Sequence, residues 1–156
     1  MRSARGFTLI EMLVVLLIMG ILVGSAVPLA QMSQRRTKES ELHSALRTLR
    51  GAIDAYKVAW NEGHIEKKPG DTGYPSTLQV LVDGVVDAKD PKGRRIYFLR
   101  RIPRDPFADP RLDAAQTWAL RSYTSPPSKP EPGPDVFDVT SVSSGIGLDG
   151  TPYHQW

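Results

Sequence analysis

From Phe7 to Ala30 the chain carries 24 residues with a single charge among them. At about 1.5 Å per residue a helix of that length would reach roughly 36 Å, enough to span a hydrocarbon core with some tilt. Polarity then rises at once, through Gln31, Ser33, Gln34, Arg35, Arg36, Lys38, Glu39 and Glu41. Leu42, Leu46, Leu49, Ile53, Tyr56 and Trp60 follow at steps of 4, 3, 4, 3 and 4, which places them on one face of an α-helix. Arg47, Arg50, Asp54 and Lys57 lie opposite. Phe7 to about Asn61 therefore reads as one long helix, membrane-embedded first and amphipathic second, stopped by Gly63. The apolar stripe is expected to pack on a globular domain, since three turns of pattern are too few for a coiled coil. Gly20, Gly24 and Pro28 predict a kink near Pro28 or a locally melted turn, because proline removes a helix bond and crowds the preceding turn.

The one charge in the apolar run is Glu11. Insertion scales place the cost of a carboxylate near mid-bilayer at roughly 2.5–3.5 kcal/mol. Such a residue calls for a positive partner close by. Met1-Arg2-Ser3-Ala4-Arg5-Gly6 precedes the run and is short and basic. A secretory signal peptide has its cleavage site after its apolar region, whereas here the small residue and the charges come before it. Cleavage after Gly6 would make Phe7 a new N-terminus. Its amine, a cation near neutral pH, would lie one helical turn from Glu11. It could pair with Glu11 of the same chain or of a neighbour. The alternative is an ordinary signal anchor whose glutamate is tolerated near the interface.

Arg5-Gly6-Phe7-Thr8-Leu9-Ile10-Glu11, then an apolar run, then an amphipathic helix, resembles the N-terminus of the type IV prepilins and pseudopilins. The resemblance implies cleavage after Gly6 by a membrane prepilin peptidase, N-methylation of Phe7, and an assembly role for Glu11 in recruiting the next subunit. Tyr74-Pro75-Ser76-Thr77 and Ile102-Pro103-Arg104-Asp105-Pro106-Phe107 are similar to two short segments of the major, G-type pseudopilin of type II secretion systems. The chain has no cysteine, which removes disulfides, a lipoprotein anchor and thiolate metal sites. Many true type IV pilins close their C-terminal region with a disulfide, so the absence points to a pseudopilin. The fold implied is α+β and pilin-like, a long N-terminal helix packed on a small antiparallel sheet with long loops. The expected divisions are a leader (1–6), a membrane and assembly helix (7–30), its amphipathic second half (31–62) and a globular domain (63–156).

Arg2 and Arg5 before the apolar run favour a cytoplasmic start, leaving the C-terminal domain in the periplasm of a Gram-negative bacterium as a single-pass inner-membrane protein. The resemblance implies as partners further copies in a homo-oligomeric pseudopilus, other pseudopilins, the prepilin peptidase and the inner-membrane secretion platform. A formal net charge of +3 is too small to imply nucleic acid. Arg94, Arg95, Arg100, Arg101 and Arg104 form a basic run that acids follow at once, and it reads as a solvated face. Were it a groove, the chain would instead be a minor type IV pilin acting in DNA uptake or adhesion. A singly anchored periplasmic protein with a coincidental motif is the remaining alternative.

Further along, His64–Gly73 reads as a loop, and Ser76 or Thr77 could cap a short helix through Leu78, Val80, Leu81 and Val82 that Asp83-Gly84 stops. Asp87–Gly93 reads as a second loop and Ile96–Ile102 as a short apolar segment. Strands are expected within Thr117–Tyr123 and Asp135–Val142. Five prolines between Ser125 and Pro134 exclude a sheet ladder there and predict an exposed, stiff connection. In the resembled family the loop after the last strand holds calcium. Asp149, with Ser141 and Ser143 as further oxygen donors, is the set this chain offers. The alternative is a metal-free loop pinned by Tyr153 and Trp156. No catalytic constellation is evident. His43, His64 and His154 are far apart, Glu39 and Glu41 belong to an exposed helix face, and Asp105 between two prolines suits a turn. The chain reads as the substrate of an enzyme rather than as an enzyme.

Overall fold

The computed structural model describes residues 8–156, apart from the side chains of residues 23–29. Helix α1 spans Leu9–Asn61 without interruption, so no melted turn occurs at Gly20, Gly24 or Pro28. A single proline removes one bond from a ladder of 53 residues, and the turns on either side hold the path. The helix ends as its sequence requires. Gly63 takes φ 81°. His64 N–H donates to Ala59 O at 2.9 Å and Gly63 N–H to Trp60 O at 3.1 Å, the paired bonds of a Schellman ending.

The chain divides into two units, residues 1–37 and 38–156. In the first, every large apolar side chain from Leu9 to Leu22 is 45–80% exposed. Among the described residues no helix is long and apolar enough to cross a membrane. The second unit is built on the amphipathic part of α1. Leu42, Leu46, Leu49 and Ile53 are all but fully buried, joined by Ala45, Ala52, Tyr56 and Ala59. The small alanines on this stripe let the rest of the domain approach the helix backbone. Trp60, at the end of the stripe, is only half-buried and packs at the edge of the core.

Helix α2 (Leu78–Asp83) buries Leu78 and Leu81 in the same core. Thr77 occupies its N-cap position, but neither Thr77 nor its neighbour supplies a side-chain cap, contrary to expectation. The sheet is two small sheets rather than one. Strands β1 (Val85–Val86) and β2 (Arg95–Ile96) form a short hairpin around the Asp87–Gly93 loop. Strands β3 (Trp118–Arg121) and β4 (Asp138–Ser141) pair antiparallel from Trp118↔Ser141 to Arg121↔Asp138, inside the two segments expected. Trp118, Val136 and Val139 close the core against α1, together with Leu99, Ile102 and Tyr153.

Two buried aspartates hold the loops. Asp105 accepts Phe107 N–H at 2.7 Å and the Ser141 hydroxyl at 2.5 Å, while its own N–H donates to the Thr117 hydroxyl at 3.1 Å. It is the turn residue that its flanking prolines suggest. Asp135, only 5% exposed, accepts the Ser122 hydroxyl at 2.7 Å, Tyr123 N–H at 2.9 Å and the Thr72 hydroxyl. It thereby pins both ends of the proline-rich connection and the loop before α2. That connection is exposed, as expected, and is further tied by Ser122 N–H donating to Glu131 O at 3.0 Å.

Burial raises the Asp135 carboxyl, but the hydrogen bonds from Thr72, Tyr123 N–H and Ser122 outweigh it and leave the group below the ordinary aspartate value. A depressed folded-state pKa gives stability that is present above the unfolded value of about 3.9 and is lost as pH falls through the folded one. Asp135→Asn should therefore lower the unfolding midpoint at pH 7 and flatten its fall below about pH 4. Thermal melts of both proteins across that range check this.

Candidate functional site

Gly6 and Phe7 lie outside the described residues, but Glu11 is within them. It is the third residue of α1, and Thr8 stands at the N-cap. Glu11 N–H donates to the Thr8 hydroxyl at 3.3 Å, and Thr8 N–H points back at the Glu11 carboxylate at a long 3.5 Å. This is a capping box, which satisfies two of the N–H groups that a helix start leaves bare. The helix dipole also favours an anion in the first turn. Both effects are local, and the second bond is weak. A carboxylate accepts several hydrogen bonds at once, so Glu11 keeps capacity for a cation. Its surroundings are the exposed apolar side chains of Leu9 to Leu22.

The opposite end of the chain folds back on α1. After β4, Gly147 N–H donates to Thr151 O at 2.7 Å and Tyr153 N–H to Gly145 O at 3.0 Å, and Ile146 bridges Pro152. A short 3₁₀ turn, Tyr153–Gln155, ends the loop. Tyr153 is buried and stacks on Phe107 with ring centres 4.3 Å apart. Trp156 meets the edge of Tyr153 at 4.9 Å and stacks on His43 of α1 at 4.0 Å. Glu39 of α1 accepts Leu148 N–H at 2.9 Å and the Tyr153 hydroxyl at 2.8 Å.

The oxygens expected to ligate calcium are engaged within this arrangement. The Ser141 hydroxyl is given to Asp105 and accepts Ser143 N–H at 3.0 Å. Ser143 accepts Gly145 N–H at 3.2 Å, and Asp149 accepts Thr151 N–H at 2.8 Å in a turn of its own. Among the described residues no group of three or more His, Cys, Asp or Glu side chains could hold a metal ion. Calcium needs six to eight oxygens, several of them anionic. Asp149 is the only carboxylate that the loop after β4 offers toward such a set.

Arg50 is the residue that sequence reasoning missed. The helical pattern marks it as exposed, yet its guanidinium donates to Asp138 at 2.9 Å, to Val139 O at 3.0 Å and to Trp156 O at 2.7 Å. Arg121 approaches the same Asp138 at 3.3 Å. One side chain thus joins α1, β4 and the tail. The signal was present only as an arginine opposite an apolar stripe, which does not distinguish it from Arg47. The basic run at 94–104 is dispersed instead. Arg94 pairs with Asp90, Arg95 donates to Asp83 O and Gly84 O, and Arg104 to Asp109 O and Leu112 O. These arginines staple loops and form no groove lined by aromatics.

Comparison with known proteins identifies the family. The family of the prokaryotic N-terminal methylation motif matches residues 1–27. The type II secretion system core protein G of Klebsiella michiganensis is 32% identical, over 68% of this chain and 70% of its own. The chain belongs to the type II secretion system core protein G family. The Pseudomonas aeruginosa member is 30% identical over 96% of this chain and 87% of its own, and the Vibrio cholerae member 29% over 70% and 69%. No solved structure gives a significant match. In this member of the core protein G family, the methylation motif covers the expected processing residues Gly6 and Phe7 together with Glu11, and the Pseudomonas match runs through the C-terminal loop.

Hydrogen bonds to a charged group contribute about 1.5–3 kcal/mol each where partly buried. Arg50→Ala should cost about 2 kcal/mol or more in unfolding free energy, and Arg50→Lys should recover only part of it, because an ammonium cannot reproduce the planar fork. Denaturant unfolding of the three proteins checks the order.

Proposed function

We propose that this pseudopilus subunit is cut after Gly6, methylated on Phe7, held in the inner membrane by residues 7–30, and assembled by pairing Glu11 with the Phe7 amine of a neighbouring copy. The observation that carries the reading is the Glu11 carboxylate set at the head of an apolar run whose side chains are 45–80% exposed. An apolar surface of that extent needs lipid or partner helices to cover it. A carboxylate within it needs a cation. At an effective dielectric near 20, unit charges about 4 Å apart attract by about 4 kcal/mol. That offsets the roughly 2.5–3.5 kcal/mol cost of placing the carboxylate in the membrane. In a filament the apolar helices gain packing against one another, and the charge pair sets their stagger.

The globular unit then stands in the periplasm, and the partners are further copies, other pseudopilins, the prepilin peptidase and the secretion platform. His43, His64 and Asp105, considered from the sequence, have structural partners. His64 is paired with Asp87 at 2.9 Å, His43 stacks on Trp156, and Asp105 is used up in its turn. From the methylation motif at residues 1–27 we place the chain as the substrate of a processing enzyme.

Glu11→Ala should be processed normally, so that the mature protein begins at a methylated Phe7, yet yield no filament. Mass spectrometry of the N-terminus and sheared-filament yield check the two halves. Normal filament yield from the variant contradicts the pairing. A wild-type protein that keeps Met1 contradicts the processing.

A further inference from the structure

The C-terminal loop presents a closure problem. Residues 142–152 leave β4, turn, and return to the 3₁₀ turn that carries Tyr153. A loop of this kind must be fixed to the helix. In the family that this chain resembles, a calcium ion is the expected device. Asp149 is the one carboxylate of this loop, Ser141 and Ser143 hold turns around it, and among the described residues no group of three or more His, Cys, Asp or Glu side chains could hold a metal ion.

Glu39 meets the same need from the other side. It rises from α1, one helical turn before the buried Leu42, and one of its oxygens accepts both the Leu148 N–H and the Tyr153 hydroxyl. These two donors are five residues apart in the chain and flank the turn. A single anion joined to both fastens the turn to the helix. Gly147 is buried, and a Cβ there would come within 2.5 Å of the Trp156 ring and 2.6 Å of the Asp149 carboxylate. A Cβ at Gly145 would come within 2.8 Å of the Tyr153 ring. The loop backbone is thus pressed onto aromatic side chains, with Arg50 drawing in the Trp156 carbonyl beyond them.

We propose that Glu39 closes the C-terminal loop in place of a divalent cation, so that the folding of this subunit is independent of calcium. The carboxylate is the charged part of the closure, and it is covalently part of the helix. The tie is supplied by the protein instead of by the medium, and removing free cations leaves the loop in place. The proposal concerns the globular unit, and its outcome is separate from that of the Glu11 pairing.

The test is thermal unfolding of the full chain in detergent, followed by near-ultraviolet circular dichroism of the tail aromatics, with calcium chloride or with EDTA. The wild-type midpoint is expected to agree within about 1 °C between the two conditions, and titration with calcium alone should give no saturable heat. Glu39→Ala is expected to lower the midpoint by about 4 °C or more, with no recovery in calcium. Glu39→Gln, which keeps an acceptor oxygen, should lose less. If Glu39→Ala does not fold, Tyr153→Phe removes one of the two donors while keeping the ring, and should show a smaller drop that calcium again leaves unchanged. A saturable rise of the wild-type midpoint with calcium overturns the proposal. So does a Glu39→Ala or Tyr153→Phe protein that melts like the wild type.

Discussion

An anion at the head of an apolar helix is the constraint from which the rest of the subunit follows. In the membrane setting we propose, Glu11 has no water to solvate it, and its capping box with Thr8 closes with two long bonds, 3.3 Å and 3.5 Å. A capping box supplies hydrogen bonds but no charge. In the assembly we propose, a single cation at the right height on an adjacent helix completes it. The same property that makes the isolated helix unfavourable in lipid therefore makes the bundled one specific. Apolar side chains alone would associate in any stagger, whereas a charge pair selects one.

The second unit solves a different problem. Its core is small and draws on one face of α1, and its strands are too short to be independent. It relies on side chains that tie distant segments. Arg50 binds β4 and the tail, Asp135 binds the loop before α2 and both ends of the proline-rich connection, and Asp105 binds β4 to its own turn. Disulfides are absent, and charged hydrogen-bonded groups at partly buried positions take over their role of fixing loops. Glu39 belongs with these groups, and it extends the same device to the last loop.

How much of this could be read beforehand depends on how local each cause is. The leader, the apolar run and Glu11 are contiguous, so their meaning is visible without a fold. The buried face of α1 repeats with the helical period, and Leu42, Leu46, Leu49 and Ile53 lie where that period puts them. Thr8-Leu9-Ile10-Glu11 carried the Ser/Thr-x-x-Glu pattern of a capping box, a legible signal outweighed by the search for a cation. The β1–β2 hairpin was hidden because two-residue strands show no alternation to detect. The Arg50–Asp138 pair joins residues 88 apart, and nothing in either neighbourhood announces the other. The calcium expectation came from resemblance, and the residues of the loop itself offer only one carboxylate, Asp149, toward it.

The central claim concerns one distance, between the Glu11 carboxylate and the Phe7 amine of another copy. Filaments grown from an equal mixture of two subunit preparations, one with nitrogen-15 in phenylalanine and one with carbon-13 in the glutamate carboxylate, allow it to be measured by dipolar recoupling in the solid state. A contact of about 4 Å between a terminal amine and a side-chain carboxylate in the mixed sample is the expected result. A mixed sample with no such contact, from filaments that are otherwise intact, would show that the subunits are held in register by something else.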